Sequence, residues 1–462
     1  MGTGWGSFKT LSKIDTSKYD VTVVSPRNHF LFTPLLASTT VGTLDFRSII
    51  DPVRRKGQHH YYMARCIDVN TKDKTVTCEE LGDFGETNTF TLPYNKLVIG
   101  VGCKANTFNI PGVEEYAYFL KELHDARKIR GRIIELFERA SLPNRTVDEK
   151  RKLLHIVIVG GGPTGIEFGG ELSDFFWRDL SRYFPDAPIH EVCITILEAS
   201  NKILSAFDEN LVKQAVRSIM KTGVHIRTDT LVKEVKPNAV VLSDGTEIPC
   251  GMVVWSTGNG PNTLMQALRF PKSRAAKILV DEHLRVQGEE DVYALGDCAE
   301  MEGQPLPATA QVAQAQGHYL ASLLNGKTQN PFVFISVGIM AYIGRQKSIM
   351  DSKYFKGTGL LSWILWRSVY LTRLELVKNK CQVPFEWVRT FIWGRDVTTF
   401  GDQITKRYQK KYMTQKNPLE NKPATEAPTQ QTPSTQPAPT ASTKEETPSQ
   451  LTETTKEELK NN

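Results

Sequence analysis

The sequence predicts an α/β fold of two doubly wound units with mostly parallel sheets, followed by a helical C-terminal region. Three observations predict it. Two glycine-rich turns, MGTGWGS at the start and GGGPTG at 160–165, each open a helical stretch. The second turn follows directly on the apolar strand HIVIV. A block at 353–413 combines aromatic residues with an excess of basic ones.

The length of 462 residues suits two or three domains, and 40% hydrophobic residues suffice for packed cores. The seven cysteines, at 66, 78, 103, 193, 250, 298 and 381, include no CxxC or CxxxxC pair. That spacing argues against zinc clusters and redox dithiols, and no metal site is expected. Each thiol reads as a small buried apolar side chain in a reducing compartment. The net charge is +6. Residues 353–413 carry twelve Lys/Arg against four Asp/Glu, so the remainder sums to about −2. Such a local block points to an anionic surface. Its aromatic content favours a membrane over nucleic acid, for which no recognition motif occurs. No run reaches the ~18 apolar residues of a membrane span. No targeting segment precedes the first glycine turn.

The chain begins with Gly2, Gly4 and Ser7 in GxGxxG spacing, with the small Ser7 in the third position. A helix and the strand DVTVVSPR follow. The strand expected before Gly2 is absent, which reads as an incomplete gene model or a truncation. Strands and turns continue to LVIGVG at 97–102, and helical periodicity covers about 116–140. The second turn is the stronger motif. Gly160 permits a tight turn, Gly162 lets backbone approach a pyrophosphate, and Gly165 lets the helix pack closely. Amides at the start of the helix, which runs from Pro163 to about residue 182, face the phosphates. The next strand, VCITILEA, ends at Glu198, whose carboxylate suits ribose hydroxyls and repels an extra phosphate. The competing reading of each turn is a glycine-rich bend with no ligand. Further on, LGDC places Asp297 after the strand VYAL, and a helix follows near 309–324.

In the basic block, Leu361, Ile364, Leu365, Tyr370, Leu371 and Leu374 recur near helical spacing, interrupted by Arg367 and Arg373. Phe385, Val388, Phe391 and Ile392 share one side of a second helix. Trp363, Trp366, Trp387 and Trp393 suit a lipid–water interface, and KRYQKK at 406–411 suits anionic headgroups. A core-packing or dimer-forming helical pair reads the same pattern. The Pro-, Thr- and Gln-rich segment 414–462 has no aromatic residue and is expected to be disordered.

Two glycine turns, a late Gly-Asp and a following helix resemble the two-dinucleotide-domain flavoprotein reductases. Within them, SPRNHFLFTPLL, GGGPTGIEFGGEL, ALGDCA, PATAQVAQAQG and LWRSVYLTR are similar to signatures of type II NADH:quinone oxidoreductases, especially mitochondrial and fungal forms. The resemblance covers residues 1–413. It implies an FAD domain at 1–113 and 273–350, an NADH domain at 114–272, and a membrane-anchoring or dimerising region at 351–413. It places Gly2, Gly4, Trp5, Gly6, Ser7, Pro26, Arg27, Thr33, Pro34, Val101, Gly102, Asp297, Ala310 and Gln311 around non-covalent FAD. It places Gly160, Gly162, Pro163, Thr164, Gly165, Glu198, Thr257 and Gly258 around NADH. Glu167 is implied at the nicotinamide–flavin contact, though a carboxylate in a first helical turn can simply serve the dipole. Gln311 and Gln314 are implied at the quinone.

The implied activity is non-proton-pumping NADH:ubiquinone oxidoreduction by a homodimer resting on the mitochondrial inner membrane, with the face left open. The alternatives are a redox-signalling flavoprotein like apoptosis-inducing factor and a non-catalytic membrane-associated relic. The calcium-binding loop of plant forms is absent.

Overall fold

The computed structural model describes residues 1–54, 59–82 and 88–398. The basic run 406–411 and the segment 414–462 lie outside the described residues. Within them, the chain packs as one unit.

The second glycine turn sits in a five-stranded parallel sheet. Its spatial order is Tyr118–Phe119, Met252–Trp255, His155–Val159, Cys193–Leu197, Val224–Arg227. The central strands are apolar runs buried on both faces, as a sheet covered by helices requires. Helical periodicity at 116–140 is realised only from Leu123 to Ala140. Tyr118–Phe119 is taken instead by pairing with Val254–Trp255. Glu122 and Asp125 then close a capping box that starts the helix. The helix from Pro163 runs to Phe175, passes through a π-helical turn at Phe176–Leu180, and ends at Tyr183.

In the first unit the strands Thr22–Val24 and Leu97–Ile99 pair in parallel with His60–Tyr62 and Val292–Ala294, respectively. Met1 and Gly2 lie between the two pairs. The Met1 amino group donates to Val98 O at 2.6 Å, Gly100 N donates to Met1 O at 2.9 Å, and Gly2 N donates to Val24 O at 2.9 Å. The helix Trp5–Lys13 packs against Ala310–Leu324 at a glycine crossing. A Cβ on Gly317 would lie 2.2 Å from Gly6 O.

The C-terminal helices Leu360–Arg373 and Val377–Trp393 are not merely appended. Trp366, Leu374, Val383 and Trp387 belong to the main apolar core. Two of the four tryptophans expected at an interface are therefore buried. Arg367 does not simply interrupt the apolar pattern, because its guanidinium lies between Trp363 and Trp387. Among the described residues no helix is long and apolar enough to cross a membrane.

The candidate active-site cleft

The first glycine turn lines a cleft of about 1050 Å³, which the helix after the second turn reaches through Thr164 and Glu167. On the first side, Gly2 has φ +92°, and a Cβ there would lie 2.3 Å from Gly100 O. Gly4 caps the helix Trp5–Lys13 without any side-chain hydrogen bond, and a Cβ there would meet nothing within 4 Å. That combination leaves free amides facing open space, which fits a pyrophosphate. Trp5 Nε1 donates to Thr33 Oγ1 at 3.0 Å, fixing the loop of Thr33 and Pro34 against the helix start. Ser7, in the third position, donates its hydroxyl to Met1 O and Gly100 O at 3.2 Å each. A methyl on Gly6 would lie 2.1 Å from Leu295 Cδ1.

Pro26, Arg27, Thr33, Val101, Gly102, Asp297 and Ala310 also line the cleft. Arg27 is anchored by Glu122 Oε2 at 2.6 Å and by Thr3 O at 3.3 Å. Asp297 accepts from the Cys103 thiol at 3.2 Å. Burial and the Asp297 charge push that thiol up to about 11, against the neighbouring Lys121 ammonium.

The second turn repeats the logic. Gly160 has φ +116°, and Gly162 caps its helix with open space where a Cβ would stand. A Cβ on Gly165 would lie 2.0 Å from Gly160 O, so only glycine permits this helix-to-turn contact. Thr164, Thr257 and Gly258 face the cleft, whereas Gly160, Pro163 and Gly165 form the turn behind it. Glu198 accepts from Gly161 N at 2.7 Å and from Ser200 N at 2.9 Å. It is half-buried just past the end of the strand Cys193–Leu197.

Glu167 lies on the cleft wall one turn into this helix. Burial pushes its carboxyl up to about 8, with the Glu171 charge adding to the rise. The Tyr342 amide, at 3.2 Å, and the Trp366 indole oppose the shift. The carboxyl is therefore mostly neutral at pH 7. A helix-dipole role alone would lower its pKa, so burial outweighs the dipole here.

Gln311 and Gln314 are not part of the cleft lining. Gln311 Nε2 donates to Gly338 O at 2.8 Å, so its amide points toward the following segment. Sequence reasoning missed what stands behind Glu167. Glu171, Asp174 and Asp179 continue along the same helix and its π-turn, all buried. Arg395 reaches Asp179 Oδ2 at 2.8 Å and Glu171 Oε2 at 3.2 Å, while the Tyr342 hydroxyl donates to Asp174. The i, i+4, i+7 spacing of Glu167, Glu171 and Asp174 among apolar residues was the signal available.

The pyridine nucleotide-disulphide oxidoreductase family matches residues 1–317, and the NDH2 C-terminal domain matches residues 337–396. A probable NADH dehydrogenase of Dictyostelium discoideum is 49% identical over 409 residues, covering 87% of this chain and 90% of that protein. The internal alternative NAD(P)H-ubiquinone oxidoreductase A1 of Arabidopsis thaliana mitochondria is 42% identical, with 86% and 84% covered. The structure of NDH2 from Plasmodium falciparum in complex with NADH superposes with a TM-score of 0.81 at 28% identity, covering 86% of this chain and 98% of that one. The two glycine turns and these matches agree: the chain belongs to the pyridine nucleotide-disulphide oxidoreductase family and, within it, to the type II NADH dehydrogenases.

Proposed function

We propose that the chain transfers electrons from NADH to ubiquinone without pumping protons, with non-covalent FAD as its resident cofactor. One observation carries the reading: the two helices that start at the uncapped glycines Gly4 and Gly162 both reach one cleft, the first through Gly4 itself and the second through Thr164 and Glu167. When bound, FAD supplies the hydride acceptor and the two-electron donor to quinone. The chain supplies binding, orientation and a proton.

Amides after Gly4 hold the FAD pyrophosphate, and Asp297 serves the ribityl chain. Amides after Gly162 hold the NADH pyrophosphate. Glu198 presents its carboxylate to the adenosine ribose and disfavours an added phosphate. Glu167, neutral near pH 7, keeps a proton on its carboxyl at the cleft wall. Gln311 and Gln314 lie on the helix that brings Ala310 to the cleft, but neither lines it, Gln311 Nε2 is engaged by Gly338 O, and neither amide can supply a proton. That assigns proton donation to Glu167.

The two C-terminal helices serve as a monotopic foot on the mitochondrial inner membrane. Leu360, Leu361, Ile364, Phe385, Val388, Phe391, Ile392 and Trp393 are all exposed, a patch that a water-facing surface does not favour. The same helices pair two copies of the chain. A foot on one leaflet offers no path across the bilayer, consistent with the absence of pumping.

The test is the flavin spectrum of the purified protein, followed by NADH oxidation with a short-tailed ubiquinone in the presence of rotenone. A yellow protein with sustained quinone reduction supports the proposal. A flavin-loaded protein that reduces no quinone overturns it. Flotation with vesicles containing anionic lipid tests the foot, and protein left in the dense fraction removes it.

A further inference from the structure

Spacing suggested isolated thiols, but the hairpin of Ala64–Asn70 and Thr75–Glu80 sets Cys66 and Cys78 directly opposite each other. Both thiols are buried and free. A β-bulge follows Cys66, between it and Asp68, and Cys66 Sγ lies 3.4 Å from Asp68 O. Directly opposed residues of antiparallel strands have Cα atoms roughly 4.5–5.5 Å apart, inside the range of about 4.4–6.8 Å that a disulfide spans. Cys78 is fully enclosed, whereas Cys66 lines the cleft beside Met63 and Arg65. One member of the pair is thus open to a small solute and the other is held behind it.

We propose that Cys66 and Cys78 form a reversible dithiol–disulfide site oxidised by peroxide entering from the cleft. The Cys66 sulphur takes one peroxide oxygen, the O–O bond breaks, and water leaves. The Cys78 sulphur then attacks the sulfenic sulphur of Cys66, an S–S bond forms, and the oxygen leaves as a second water. In sum two thiols and one hydrogen peroxide give one disulfide and two waters. The contact between the two sulphurs, with burial, raises the Cys66 thiol well above its ordinary value and lowers the Cys78 thiol, so the first attack at Cys66 is the slow step and the second at Cys78 the fast one.

The link would close across the first strand after His60–Tyr62, whose pairing with Thr22–Val24 leads into the loop of Pro26 and Arg27. A small-molecule dithiol reverses it. The function proposed above passes the electrons to quinone, so the oxidant here is hydrogen peroxide reaching the cleft from solvent. The site itself does not depend on that reading, because peroxide can be added directly.

The experiment treats the native flavin-loaded protein with stoichiometric hydrogen peroxide in the absence of NADH. The protein is then alkylated, digested and mapped by mass spectrometry. The expected result is a peptide pair joined through Cys66 and Cys78, two of the seven thiols lost, and full recovery with dithiothreitol. Cys78→Ala should instead accumulate sulfenic acid on Cys66, trapped by dimedone, and sulfinic acid once a second equivalent of peroxide is added. Oxidation confined to Cys103 or Cys381, a link from Cys66 to Cys298, or no oxidation of Cys66 overturns the proposal. A flavin-loaded protein that reduces no quinone before peroxide is added, yet forms the Cys66–Cys78 link, would instead count against the function proposed above and leave this site standing.

Discussion

The Arg367 guanidinium lies 4.0 Å from the ring centroid of Trp363. Its other face lies 4.3 Å from Trp387, which stands on the second C-terminal helix. A planar cation between two indoles joins the two C-terminal helices. Burial holds the guanidinium down at about 10, so the charge persists at all physiological pH values. Replacing Arg367 with Met keeps the stem and removes the charge. Denaturant unfolding should register a loss of about 1–2 kcal/mol. Lys at this position should recover part of it, and unchanged stability in the Met variant would deny the stack any role.

The Glu167 carboxyl predicts a pH signature. Its folded pKa, about 8, is above the value in an unfolded chain. The folded state therefore holds the proton more tightly. This contribution to stability is complete below the unfolded pKa and is lost as pH rises through about 8. Glu167→Gln should flatten the fall in thermal midpoint between mildly acidic pH and pH 9. On the proposed mechanism it should also slow quinone reduction by about 100-fold and abolish an activity decline centred near pH 8.

At Gly165 the close contact with Gly160 O leaves no room for a methyl. Gly165→Ala should raise the KM for NADH by about 10-fold or more, the equivalent of roughly 1–3 kcal/mol of strain. Flavin content should be unchanged, because the first glycine turn is untouched. Stopped-flow reduction by NADH, with flavin quantified by absorbance, separates the two effects.

Glu198 is now satisfied by Gly161 and Ser200. Glu198→Ala should lower the NADH-over-NADPH preference by about 10-fold, as expected for losing a hydrogen bond to a charged group. A ratio of kcat/KM values that does not move would remove Glu198 from the nucleotide site.

Arg395 is buried against Asp179 and Glu171. Arg395→Met leaves two enclosed carboxylates without their cation. It should destabilise the protein by about 3–5 kcal/mol. Calorimetry on the full chain decides, and a shift within error would show that water or other donors replace the guanidinium.

Much of this protein could be read directly from the order of its residues. The strand His155–Val159, the turn Gly160–Gly165 and the acid Glu198 form a local pattern, each part set by near neighbours. The buried apolar strand and the helix that begins at Pro163 were legible for the same reason. Legibility failed wherever distant segments compete or meet. Tyr118–Phe119 has helical periodicity, yet pairing with Val254–Trp255 claims it for the sheet. Trp366 and Trp387 look like interfacial tryptophans until the core closes over them.

The sequence by itself determined the two glycine turns, because glycine's missing side chain acts on its own turn whatever surrounds it. Only the tertiary structure decided that the helices after both turns reach one cleft, that burial strips Glu167 of water and keeps it mostly neutral, and that Cys66 meets Cys78. Desolvation and cross-strand contact depend on which remote groups exclude water or stand opposite. Residue spacing along the chain carries no direct record of either.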